Sequence, residues 1–134
     1  MRVDDSDATV AIGLGCKRGC SGKAIAALVG RAVAAASCTG EQARLFTHAA
    51  KKDEPGLLQA AKILDLPLIF LDAESLRQAA LRTVTHSPKV LELFGLPSIA
   101  EAAALAGAGP SSVLLIARMS DGGASCAIAA KRNA

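Results

Sequence analysis

The chain has 134 residues, with 15 Lys and Arg against 12 Asp and Glu for a formal charge of +3, and it is 51% hydrophobic and 20% charged. That is the length of one domain, and a chain of this size buries about two-thirds of its unfolded surface, so a core forms without metal or disulfide support. Trp and Tyr are absent and Phe occurs only at Phe46, Phe70 and Phe94; this argues against a base-stacking nucleic-acid binder, which needs aromatic platforms, and no apolar run of about 18 residues exists to span a membrane.

Residues 1–8 set Arg2 against Asp4, Asp5 and Asp7 and read as a disordered lead-in to a single domain over 9–134, which carries a net +5. A balance of that size suits a small polyanion better than a duplex. The lead-in has neither the basic n-region nor the apolar h-region of a secretory signal. A cytoplasmic setting is therefore expected, with Cys16, Cys20, Cys38 and Cys126 as reduced thiols.

The β-branched apolar run over 9–15 reads as a buried strand, followed by a loop over 16–20 and a helix to residue 36 that Ser21 caps. A second strand over 44–49 leads through Lys51-Lys52-Asp53-Glu54 into a helix opened by Pro55. A third strand over 67–71 precedes a helix over 73–81 capped by Asp72. Ser87 and Pro88 open a short helix that Gly95 closes, and Ser98 with Glu101 is a capping-box signature for a helix to residue 106. The runs 113–119 and 124–130, joined by a turn containing Asp121-Gly122, predict a hairpin. Strand and helix alternation followed by a hairpin predicts a three-layer α/β/α sandwich with a mostly parallel, mixed sheet.

The segment from Gly13 to Lys23 places glycines, adjacent cations and a helix start at the carboxyl end of the first strand, where open α/β sheets bind ligands. Backbone N–H groups at a helix start favour anions, and Lys17, Arg18 and Lys23 add charge, so carboxylates and phosphates both fit. A glycine turn that only joins strand to helix is the alternative reading. The segment is not a Walker A loop, because Gly22-Lys23 is followed by Ala24, and the dinucleotide fingerprint misses because its third glycine falls at Arg18. Cys16 and Cys20 are three residues apart, unlike a zinc knuckle, and no metal is expected. Cys16 beside Lys17 and Arg18 is either a low-pKa thiol or a small residue packed in a tight loop. In a parallel sheet, residues 51–56 share the rim of the first loop; there Asp53 and Glu54 read as macrodipole caps, which leaves Lys52 to be explained.

Three blocks, Gly13-Leu14-Gly15-Cys16-Lys17-Arg18-Gly19, Lys52-Asp53-Glu54-Pro55-Gly56-Leu57 and residues 87–105 with Gly95-Leu96-Pro97-Ser98, stand in an order and spacing that resembles the CobE/CbiG C-terminal domain family of cobalamin biosynthesis over residues 9–130. The resemblance implies an α/β/α domain with a role in corrin-ring synthesis, where intermediates carry many acetate and propionate groups. It implies an accessory or carrier module, without a cofactor, for a precorrin or hydrogenobyrinic-acid-type intermediate used by neighbouring pathway enzymes. Gly13, Gly15, Cys16, Lys17, Arg18, Gly19 and Ser21 would form the anion cradle, with Thr47, Lys52 and Ser87 beside it. CbiG as a whole is associated with opening the ring-A δ-lactone of cobalt-precorrin-5A, and this chain is similar to its C-terminal part. A lactone hydrolase or other precorrin-modifying enzyme is accordingly the alternative, with Glu54 or Glu101 as the candidate general base.

Overall fold

A computed structural model describes residues 10–36, 43–96 and 98–131, except the side chain of Lys89. The lead-in expected over 1–8, the first strand's expected start at Thr9, and Cys38 lie outside the described residues.

Strand β1 (Val10–Cys16) is buried at every position, as befits a strand with helices on both faces. Helix α1 (Gly22–Ala35) starts where the Ser21 hydroxyl accepts from the Ala24 N–H at 3.1 Å. Strand β2 (Ala43–His48) ends in a 3-10 turn over Ala49–Lys51, and α2 (Pro55–Leu64) begins at its proline. The chain continues with β3 (Leu68–Leu71), α3 (Ala73–Ala80), α4 (Pro88–Phe94) and α5 (Ile99–Ala108). It closes with β4 (Ser112–Asp121) and β5 (Ala124–Lys131).

The sheet order is β3-β2-β1-β5-β4. β1, β2 and β3 are parallel, while β5 runs antiparallel to both β1 and β4. On one face Ile12, Leu14 and Ile128 pack with Ile25 and Leu28 of α1 and Leu57 of α2. On the other, Ala11, Phe46 and Ala127 pack with Leu76 of α3 and the alanines of α5. This is the three-layer mixed-sheet sandwich that the element pattern implies. No helix of the described residues is long and apolar enough to cross a membrane.

Two glycine positions shape the architecture. At Gly13 the backbone of α5 lies directly on β1, so close that an added Cβ would stand 1.9 Å from the Ala100 carbonyl oxygen. At the hairpin, β4 runs to Asp121, two residues beyond its expected end at Met119, and the turn is the pair Gly122-Gly123 with φ +60° and +86°. Both central residues at positive φ make this the two-residue turn whose twist matches antiparallel strands.

Candidate functional site

A cleft of about 770 Å³ opens at the carboxyl end of β1. One side is formed by Gly15, Cys16, Lys17 and Arg18 with the hairpin tip from Ser120 to Ser125. The other is formed by Ser87, Val90, Leu93 and Phe94 of the α4 region and by Ile99 and Ala100 at the start of α5. Lys51 and Arg118 complete the lining. The hairpin tip reaches this place because β5 pairs antiparallel with β1, setting Cys16 opposite Ala124, and the Lys17 N–H donates to the Gly123 carbonyl at 2.8 Å.

Lys51 ties the two sides together. Its Nζ donates to the Cys16 carbonyl at 2.9 Å and lies 5.3 Å from the centroid of the Phe94 ring, a cation–π distance. His48 stacks at a tilt on the same ring, centroids 5.4 Å apart, and its Nδ1 accepts from the Ala50 N–H at 3.0 Å. Burial first, and Lys51 second, lower the His48 pKa and keep the imidazole neutral near pH 7.

Among the described residues, four cationic ones, Lys17, Arg18, Lys51 and Arg118, line the cleft together with a single acid, Asp121, whose carboxylate is paired with Arg31 at 2.8 Å. The cleft is thus electropositive along part of its lining and apolar along the α4 and α5 part. Cys16 is buried, and that burial, opposed by Lys51 and aided by Glu54 and Cys20, pushes its pKa up to about 11, which favours the packed, protonated thiol over the activated one.

Of the residues singled out from sequence, Gly15, Cys16, Lys17, Arg18 and Ser87 line the cleft. The others have different places. Gly13 is buried under α5, and Ser21 caps α1. Thr47 is fully buried and donates its hydroxyl to the Leu14 carbonyl at 2.8 Å. Gly19, at φ +80°, donates its N–H to Glu54 Oε2 at 3.2 Å, which joins the glycine loop to the start of α2 through one oxygen of the Glu54 carboxylate. Lys52 is exposed and does not line the cleft, whereas its neighbour Lys51 does.

Glu101 is fully buried and stands outside the cleft lining. Its capping box is half formed: the Ser98 hydroxyl accepts from the Glu101 N–H at 3.2 Å, but the carboxylate turns elsewhere. Oε1 accepts from the N–H groups of Val84 and Thr85, both at 2.8 Å, and Oε2 accepts from the Thr85 hydroxyl at 2.6 Å and the Arg118 N–H at 2.9 Å. Burial alone would raise its pKa, but the bonds from Thr85, Arg118 and Val84 outweigh burial and hold the carboxyl below the usual range. With two donors on each oxygen no acceptor site is left for a water, which removes Glu101 from the candidate general bases.

The cleft residues missed by sequence reasoning include Lys51, Arg118, the hairpin tip and the apolar residues Val90, Leu93, Phe94, Ile99 and Ala100. The Asp-Gly-Gly turn was visible in the sequence, but its neighbour β1 was not. Nothing local marks Lys51 over Lys52 or singles out Arg118.

The family model described as "Cobalamin synthesis G C-terminus" matches residues 10–129. The chain belongs to the CbiG C-terminal family. Protein CobE of a Sinorhizobium species is 35% identical to it over 123 residues, 91% of this chain and 80% of the relative. A crystal structure of CobE, a protein from the cobalamin biosynthetic pathway, superposes with a TM-score of 0.81 at 37% identity, covering 90% of this chain and 88% of that one. The cobalamin biosynthesis protein chiG from Agrobacterium tumefaciens superposes with a TM-score of 0.71 at 37% identity, covering 92% and 99%. The protein is accordingly a cobalamin-biosynthesis protein with the CobE fold, as its three sequence blocks imply.

Proposed function

We propose that this single-domain protein binds a polycarboxylate precorrin or corrin intermediate in the cleft and serves as a cytoplasmic accessory or carrier module, with no cofactor, for neighbouring pathway enzymes. The observation that carries the reading is the division of the cleft lining: Val90, Phe94 and Ile99 offer an apolar wall, and Lys17, Arg18, Lys51 and Arg118 supply positive charge around it. A flat macrocycle fringed with acetate and propionate groups needs both. Its ring face loses water against the wall, and its carboxylates meet charge-assisted donors. The cleft volume of about 770 Å³ lies in the range of small-molecule sites.

Carrier is favoured over lactone hydrolase because neither Glu54 nor Glu101 is among the residues lining the cleft, and the Glu101 carboxylate is in addition saturated with donors. The test is a titration of the purified protein with hydrogenobyrinic acid and earlier precorrins, followed by visible absorbance and recovery of the ligand. Binding with the ligand returned unchanged is the expected result. Conversion of the ligand would make the protein an enzyme, and the absence of any absorbance change would overturn the binding reading.

A further inference from the structure

Three segments distant in sequence meet at one buried carboxylate. Glu101 lies in the first turn of α5, Val84 and Thr85 belong to the linker between α3 and α4, and Arg118 lies on β4. The β4 segment is irregular at this point. Ile116 pairs with Ile128 and Met119 with Cys126, so three steps along β4 answer two along β5 and one extra residue is accommodated. Arg118 falls inside that bulge. Bulges re-aim side chains beside functional sites, and this one is held from within by Oε2 of Glu101, which accepts the Arg118 N–H.

We propose that Glu101 is the positioning residue of the cleft: by gripping the main chain at Arg118, it aims the Arg118 guanidinium at the ligand's carboxylates. The inference rests on the binding reading above and deepens it, because it names the group on which recognition of one carboxylate turns. Among the described residues the Arg118 side chain makes no ion pair, in contrast to Asp121 further along the same strand, which is held by Arg31. Its charge is open to a ligand. The same carboxylate also holds Thr85, two residues before the Ser87 that caps α4.

Glu101→Gln separates these duties. With the amide oxygen in the place of Oε1, the Val84 and Thr85 N–H groups keep their acceptor, and the Thr85 hydroxyl can rotate to accept from the new NH₂ group. The Arg118 N–H then faces a donor and loses its partner, so the bulge is released while the linker stays held.

The experiment is a double-mutant cycle on the full chain with hydrogenobyrinic acid as the probe, with thermal unfolding run in parallel. Arg118→Ala is expected to weaken binding by about ten-fold, the loss of one charge-assisted contact, and Glu101→Gln by several-fold. In the Arg118→Ala background Glu101→Gln should add less than about two-fold, because the group it aims is gone. Effects that multiply in full would overturn the positioning role. No binding by the unaltered protein would instead refute the binding reading on which it rests.

Thr85→Val keeps the proposal testable should Glu101→Gln fail to fold. It deletes the hydroxyl on the same Oε2 but leaves the acceptor for the Arg118 N–H, so it should lower the melting temperature while changing affinity by no more than about two-fold. A loss as large as that of Arg118→Ala would mean that any weakening of this node disables the cleft, and the specific aiming of Arg118 would be refuted.

Discussion

Replacing Gly13 by Ala probes the contact that holds the site's foundation, because β1 ends in the cleft and α5 begins there. The new Cβ would stand 1.9 Å from the Ala100 oxygen and 2.5 Å from the Ala104 nitrogen, where ordinary contact begins at 3.4 Å. Both are main-chain atoms of a helix and no rotamer change relieves them, so α5 must withdraw by about 1.5 Å, the difference between 3.4 and 1.9 Å. That helix is packed along its length, with Ala100, Ala102, Ala103, Ala104 and Leu105 all at or below 1% exposure, and withdrawal opens gaps on its whole inner face. Overpacking of this kind costs about 1–3 kcal/mol, and the rigidity of the obstruction argues for the upper end, about 3 kcal/mol. Urea unfolding followed by circular dichroism, with Gly30→Ala as the control, measures it. At Gly30, on the exposed side of α1, an added Cβ meets nothing within 4 Å, and the helical preference of alanine should stabilise by about 0.5–1 kcal/mol. A loss below about 1 kcal/mol for Gly13→Ala would refute the claim that β1 and α5 require a glycine between them.

Lys17→Ala with Arg18→Ala should weaken hydrogenobyrinic-acid binding at low salt by about 1.5–3 kcal/mol for each sequestered contact; Lys51→Ala should weaken it too and Lys52→Ala should not, and equal behaviour of the two neighbours would contradict the cleft lining. With a pKa of about 11, Cys16 should be alkylated slowly at pH 7, the rate rising by about ten-fold per pH unit as thiolate forms; rapid labelling at neutral pH, read by peptide mass spectrometry, would refute its protonated state. Glu101 has a folded-state pKa below its ordinary 4.5, so its contribution to stability is complete above that value and is lost as pH falls through the folded pKa. Urea midpoints measured from pH 7 to pH 3 should therefore fall less steeply below pH 4.5 in Glu101→Gln than in the unaltered protein, and parallel curves would remove Glu101 from the acid-sensitive groups.

The element pattern was legible in the sequence because its signals act over a few residues. Ser21, Asp72, Ser87 and Ser98 each accept from the N–H three residues further along, in the helix they start, and the apolar run of β1 demanded cover on both faces. The glycine loop, too, could be placed at a strand end from order alone, and Lys17 and Arg18 came with it. Long-range pairing decided the rest. The antiparallel join of β5 to β1 carries the hairpin tip to the cleft, and the bulge in β4 brings in Arg118. The carbonyl of Cys16 and the ring of Phe94 select Lys51 over its equally charged neighbour. Glu101 shows the limit most clearly. Its spacing from Ser98 announced a local cap, whereas its carboxylate serves donors 16 and 17 residues away on both sides. A local pattern specifies which backbone groups need partners, but the direction a side chain takes is set by whichever unsatisfied donors the packed fold brings within reach.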